Sequence, residues 1–163
     1  MISRLLVANR GEIARRVARA AAAMGIETIA VYSEGDRRSP HVADCDRAVA
    51  LPGRRAAQTY LNIEALVAAA TASGADAVHP GYGFLSERPE FARAVEGAGL
   101  TWVGPPAEVI AAMGDKLAAK RIMAEAGVPV LESWGAGDGL PDGVEMPVLV
   151  KAAAGGEAAA CEW

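Results

Sequence analysis

Short apolar runs alternate along the chain with longer amphipathic stretches. Residues 2–8 read as a buried strand, because parallel strands covered on both faces are continuously apolar. Residues 12–24 predict a helix with Ile13, Val17, Ala20, Ala21 and Met24 on one face, closed by Gly25 as the residue after its C-terminus. Residues 27–32 predict a second strand, and residues 40–43 a single helical turn. Residues 48–51 predict a third strand, ended by Pro52-Gly53. Asn62 suits the N-cap of a helix running to Ser73 and stopping at Gly74. A fourth strand follows at 75–79, then a helix opened by Pro89 and ending at Ala98 before Gly99. Residues 101–103 predict a fifth strand, stopped by Gly104-Pro105-Pro106. This alternation argues βαβ units, right-handed crossovers and a parallel, doubly wound sheet ending near residue 105. Two helices are predicted next, at 107–113 and 115–126, hinged at Gly114. A Gly/Pro-rich loop then spans 134–143, and residues 147–152 begin a new strand.

Composition narrows the classes open to such a chain. Of its 163 residues 52% are hydrophobic, but 37 are Ala, which favours helix and adds little core volume. The 38 Leu, Ile, Val and Met residues still suffice for one core, which argues against disorder. Arg outnumbers Lys 13 to 3, and with the Ala and Gly excess this is the mark of GC-rich coding DNA. No run of ~18 apolar residues is present to span a membrane, and the apolar start is too short for a signal peptide. Cys45 and Cys161 form neither a disulfide framework nor a metal spacing, so a reducing cytoplasm is expected. A net charge of -4 with scattered Arg argues against nucleic acid as a partner.

Four segments could carry chemistry. Ala8-Asn9-Arg10-Gly11-Glu12-Ile13-Ala14 turns from the first strand into the first helix, where free N–H groups favour anions. It has one glycine where a dinucleotide fingerprint needs three, so Gly11 reads equally as a turn former. His79-Pro80-Gly81-Tyr82-Gly83-Phe84-Leu85-Ser86-Glu87 follows the fourth strand, and its glycines let the backbone approach a ligand closely. His79 alone reads as a hydrogen-bonded residue at a strand end. In Met113-Gly114-Asp115-Lys116, Asp115 can cap the next helix, leaving Lys116 in a first turn whose dipole disfavours a cation. Such a lysine faces water or meets an anion. Finally, Pro147-Val148-Leu149-Val150-Lys151 runs into Ala152-Ala153-Ala154-Gly155-Gly156, a strand ending in Lys and glycines, as phosphate sites often do.

Taken in order, these segments resemble the N-terminal third of a biotin carboxylase, a subunit or domain of acetyl-CoA, propionyl-CoA and pyruvate carboxylases with the ATP-grasp fold. The resemblance covers residues 1–156, and the nine-residue loop 79–87 is its most specific part. It implies a Rossmann-like domain at 1–105 with helices on both sheet faces, a helical hinge at 106–146, and an incomplete start of the ATP-grasp lid at 147–163. It implies that ATP activates bicarbonate as carboxyphosphate and that the carboxylate passes to biotin, which links the family to fatty acid biosynthesis. By resemblance, Lys116 and Lys151 are ATP-phosphate lysines, and Tyr82 and Gly83 lie near the biotin pocket. Arg16 and Arg19 lie on a helix that resembles part of a homodimer surface. ATP, Mg²⁺ and biotin are the implied cofactors, and a biotin carboxyl carrier protein and a carboxyltransferase the implied partners. No residue of this chain matches the family's Mg²⁺ ligands or its catalytic Glu and Arg, so no metal ligand or catalytic residue is assigned, and the chain alone is expected to be inactive.

Residues 157–163 depart from the family's usual Gly-Gly-Lys/Arg-Gly-Met-Arg-Val-Val. Codons for Glu157-Ala158-Ala159-Ala160-Cys161-Glu162-Trp163, read one base earlier, admit Gly-Gly-Arg-Gly-Met-Arg-Val-Val. One base lost in a G-rich run near codon 156 is therefore expected, and the DNA tests it. Two other functions are set beside the first. A non-catalytic module would bind intact carboxylase subunits through the helix bearing Arg16 and Arg19, and would co-purify with them. A dinucleotide-binding domain would use Glu34, 23 residues beyond Gly11, as its ribose acid; NAD would then raise the melting temperature.

Overall fold

The computed structural model describes residues 1–134, 139, 143, 144 and 148. The chain divides into one compact unit, Met1–Ala111, and a second beginning at Ala112. The first unit holds strands β1 (Arg4–Val7), β2 (Glu27–Tyr32), β3 (Arg47–Ala50), β4 (Ala77–His79) and β5 (Thr101–Trp102). Helices α1 (Gly11–Ala23), α2 (Pro40–Asp44), α3 (Ile63–Ser73) and α4 (Pro89–Gly97) connect them, with short 3₁₀ turns at Glu34–Asp36 and Ala56–Gln58 that the sequence pattern did not predict. Helix α5 (Ala107–Gly114) crosses the division between the units, and α6 (Lys116–Glu125) belongs to the second.

The punctuation residues act as their chemistry requires. The Asn62 side chain accepts the Ala65 N–H and opens α3, and Gly74, left-handed at φ 70°, closes it. Gly25 (φ 72°) closes α1 with its N–H on the Ala22 carbonyl. Pro89 is the first residue of α4. The Asp115 carboxylate accepts the N–H groups of Leu117 and Ala118 and opens α6. Of the strand predicted at 147–152 only Val148 is among the described residues, and the tail 157–163 lies outside them.

Among the described residues all four strand pairings are parallel, in the order β3-β2-β1-β4-β5. Alternate residues of each strand face opposite sides. Leu6, Ile29, Val31, Val78 and Trp102 join Leu66 and Ala70 of α3 and Phe91 and Val95 of α4 in the main core. The opposite face carries a smaller cluster, Leu5 and Ala77 with Ala21 of α1. The sheet is thus covered by helices on both faces, as expected for a parallel sheet.

The apolar stripe expected on one face of α1 lines one groove and is not the row that packs most closely on the sheet. The buried residues of α1 are Ala14, Ala18 and Ala21. Of the stripe predicted on one face, only Ala21 is buried; Ile13 and Val17 are half-buried, Ala20 is exposed, and Met24 is 74% exposed. The methyl-sized row lets the helix lie close on the sheet, which turns the larger row aside. Topology explains why that row stays uncovered. Right-handed crossovers put α1 over β1 and β2, whereas the chain reverses direction after β3 and puts α3 and α4 on the other face. Beside α1 a groove of about 480 Å³ remains, lined by Ile2, Leu5, Ile13, Val17, Met24 and Val103 among others.

Candidate functional site

β1 and β4 lie side by side, with Val7 opposite His79, and chain order reverses between them. Ligands of open α/β sheets collect at this point, outside the carboxyl ends of the strands. Here it brings together two of the predicted segments, the turn after β1 and the loop after β4. The Ala8 N–H donates to the His79 carbonyl at 2.8 Å, carrying the pairing one residue beyond the strands.

Asn9 then joins the two segments. Only 4% exposed, it donates its two amide hydrogens to the Pro80 and Tyr82 carbonyls, each at 2.8 Å. Its Oδ1 accepts the Arg10 N–H at 2.8 Å, which fixes the amide's orientation. Between those two carbonyls sits Gly81 at φ 70°, where a Cβ would lie 2.5 Å from the Asn9 Nδ2. Only glycine fits there, on both counts. The Gly81 N–H donates to Nδ1 of His79 at 2.9 Å, so the neutral imidazole carries its proton on Nε2. Burial holds the His79 pKa below its ordinary value. His79 is therefore a hydrogen-bonded strand-end residue.

The loop continues through Gly83 (φ 65°) and Phe84 (φ 47°), an unusual conformation for a residue with a side chain. Its fixed backbone leaves Tyr82 68% exposed. Beside it lies a cavity of about 360 Å³, lined by Asn9, Arg10, Gly11, Glu12, Tyr82 and Gly83 among others. Phe84 is held by stacking on Tyr60, with centroids 5.3 Å apart. The Arg10 guanidinium lies over both rings, 5.6 Å from Tyr60 and 5.8 Å from Phe84, and reaches Asp36 at 3.3 Å.

Asp36 accepts the Tyr60 hydroxyl at 2.8 Å and the Ser33 hydroxyl at 2.9 Å. Burial alone would raise its pKa, but these hydrogen bonds, the Arg10 charge and the Ser39 hydroxyl hold it below the ordinary value. Burial and the adjoining carboxylate push the Tyr60 phenol to about 12 despite the Ser33 N–H it accepts. Sequence reasoning named Asn9, Arg10 and Phe84 only within their segments and foresaw neither the hold of Asn9 on the loop nor the meeting of Arg10 and Phe84 with Asp36 and Tyr60. The one local signal was a polar residue, Asn9, directly after an apolar strand.

Tyr82 and Gly83 thus sit at the switch point. Lys116, exposed in the first turn of α6, belongs to the second unit, and Lys151 lies outside the described residues. Arg16 and Arg19 are exposed on α1. Glu34 pairs with Arg54 at 3.0 Å. Among the described residues no group of three or more His, Cys, Asp or Glu could hold a metal ion, and no helix is long and apolar enough to cross a membrane.

A five-stranded parallel sheet with a glycine-shaped loop at its switch point defines a doubly wound α/β domain. Residues 1–110 match the model of the biotin carboxylase N-terminal domain, and the chain belongs to that family. It is 49% identical over 162 residues to the mitochondrial methylcrotonoyl-CoA carboxylase subunit alpha of Glycine max, covering 95% of this chain and 22% of that protein. It is 46% identical to the biotin carboxylase of Pseudomonas aeruginosa, over 96% of this chain and 36% of that one. The chain therefore spans about a fifth to a third of these relatives' length. Among solved structures, a biotin carboxylase domain of a single-chain bacterial carboxylase matches with a TM-score of 0.75 and 49% identity, over 78% of this chain and 30% of that one. The biotin carboxylase domain dimer of Hydrogenobacter thermophilus 2-oxoglutarate carboxylase, in complex with MgADP, ADP and bicarbonate, matches with the same TM-score and identity, over 79% and 28%.

Proposed function

We propose that this chain is the biotin-facing part of an ATP-dependent biotin carboxylase of the ATP-grasp type, which carboxylates biotin on a carrier protein with bicarbonate. The supporting observation is the union, at the switch point, of the loop bearing Tyr82 and Gly83 with the turn after β1. Tyr82 and Gly83 line the biotin side of the site. Lys116 and Lys151 meet the ATP phosphates, a role suited to an ammonium acting as a point charge. Bound ATP supplies the activation of bicarbonate. Mg²⁺ ligands are assigned to no described residue. Fatty acid biosynthesis is one setting for such an enzyme, and the free thiol of Cys45 suits the cytoplasm.

The 163 residues by themselves are proposed not to carboxylate biotin. Bicarbonate-dependent ATP hydrolysis by the pure chain would overturn this. Titrations followed by NMR test the binding roles: biotin is expected to shift signals of Tyr82 and Gly83, and ATP those of Lys116 and Lys151. A chain that answers neither ligand at these positions sinks the assignment.

The open groove beside α1 favours a second reading, in which the chain associates with carboxylase subunits or with a copy of itself through the helix bearing Arg16 and Arg19. Sedimentation with an intact carboxylase subunit checks it. Val17→Asp and Arg19→Glu are expected to abolish co-sedimentation, and association unaffected by either rejects this surface. Carrier protein and carboxyltransferase are the partners proposed for the whole enzyme.

A further inference from the structure

We infer that Asn9 is the positioning residue for Tyr82 and Gly83, an inference that rests on the biotin-facing role proposed for them. Three hydrogen bonds fix its amide: two donated to the carbonyls on either side of Gly81, and one accepted from the Arg10 N–H. The alternative amide orientation would set Oδ1 against two carbonyl oxygens. Asn9 is buried, so water does not readily take over either donor. The Gly81 backbone rests against the same amide, and the Gly81 N–H is tied to His79 from the other side. With the Pro80 and Tyr82 carbonyls drawn inward to Asn9, Tyr82 is left exposed.

The sheet does not need this residue. β1 completes its register with β2 and β4 at Val7, and neither apolar cluster includes Asn9. Its contacts are spent on the loop. Aspartate has the same shape but, when ionised, no donor for the two carbonyls. Buried beside two carbonyl oxygens, such a carboxyl titrates above its ordinary range, and once protonated it regains one donor.

The test uses the ¹⁵N-labelled 163-residue chain with Asn9→Asp, and with Asn9→Ser in reserve should the first fail to fold. Hydrogen exchange is read at Gly81 and Ser86, whose N–H groups bond to His79 and to the Gly83 carbonyl. Leu51 and Ala75, bonded elsewhere in the domain, are the references. Near neutral pH, Asn9→Asp is expected to speed exchange at Gly81 and Ser86 by roughly tenfold or more, with the references nearly unchanged. Relative to wild type at the same pH, the difference at Ser86 should shrink below about pH 5, as the new carboxyl protonates; Gly81 is not read there, because protonated His79 releases its N–H in both chains. A role in the stability of the whole domain would instead speed and then rescue exchange at Leu51 and Ala75 as well. Unchanged protection at Gly81 and Ser86, equal loss at all four amides, no acid rescue, or unfolding of both variants overturns the inference.

Free biotin provides the second arm. In wild type it should shift the Gly83 amide and the Tyr82 ring, and in Asn9→Asp near neutral pH this response should be lost. Biotin shifts that persist unchanged in a loosened loop also overturn the inference. If wild type gives no biotin response while the exchange pattern appears as expected, the biotin reading falls and the positioning of the loop stands.

Discussion

At the scale of single residues, the site rests on a few positions that tolerate no ordinary substitution, and they differ in kind. Gly81 needs both a left-handed backbone and an empty Cβ position against Asn9, whereas Gly83 needs only the backbone, because nothing lies within 4 Å of its Cβ position. Gly81→Ala is therefore expected to cost about 2–4 kcal/mol and Gly83→Ala about 1–2 kcal/mol in urea unfolding. Equal penalties would mean that the Asn9 contact is not the deciding one. His79 adds a pH dependence with a definite sign. Its folded pKa is lowered by burial, so the unfolded chain takes up the proton first. The stability it contributes is present above about pH 6.5, the ordinary imidazole value, and is lost as pH falls through the folded value. Protonation also turns Nδ1 into a donor and expels the Gly81 N–H. A pH titration of unfolding free energy should lose this slope in His79→Gln, and the wild-type Gly81 amide shift should track the imidazole. A slope unchanged by the substitution would exclude His79 as its source.

At the scale of elements, the placement of α1 makes the corresponding prediction. Its contact with the sheet runs through Ala14, Ala18 and Ala21, while Met24 is exposed. Ala18→Leu should overpack that contact and cost about 1–3 kcal/mol, and Met24→Lys should stay within about 0.5 kcal/mol of wild type. The reverse ranking in thermal melts would restore the larger stripe as the buried one. That stripe was the natural choice from sequence, because periodicity is read by weighing large apolar side chains. Close helix–sheet packing selects small ones, and in a chain with 37 alanines such a row does not stand out. Element ends were legible for the opposite reason: Gly25, Asn62, Gly74, Pro89 and Asp115 act within their own turns, so their effect survives without tertiary context. The loop 79–87 was legible as a unit. The way it is held was not, since Asn9, Arg10, Asp36 and Tyr60 reach it from three other segments whose juxtaposition depends on strand order.

At the scale of the molecule, the five strands and both apolar clusters fall within Met1–Ala111. Ala107 and Ile110 of α5 are buried in that core, so the unit reaches past the fifth strand into the first turns of the next helix. A polypeptide of residues 1–111 should therefore fold cooperatively, and one of residues 1–105 should be less stable because it lacks those two contacts. The burial lost, one Ile and one Ala, is worth about 2–4 kcal/mol. Trp102 reports the transition directly. It is the one tryptophan of the three in the sequence that both polypeptides keep. It is 8% exposed, donates its indole N–H to the Pro105 carbonyl and meets Phe91 edge to face at 5.3 Å. Its emission should be blue-shifted in the folded 1–111 polypeptide and move to the red in a single transition on heating. In 1–105 the midpoint should fall by roughly 10–30 °C, since about 1 kcal/mol moves a domain of this size by roughly 4–8 °C. Equal midpoints would place the boundary of the folding unit at the fifth strand, and a broad, non-cooperative loss of the blue-shifted signal in 1–111 would show that the unit needs residues beyond Ala111 to fold.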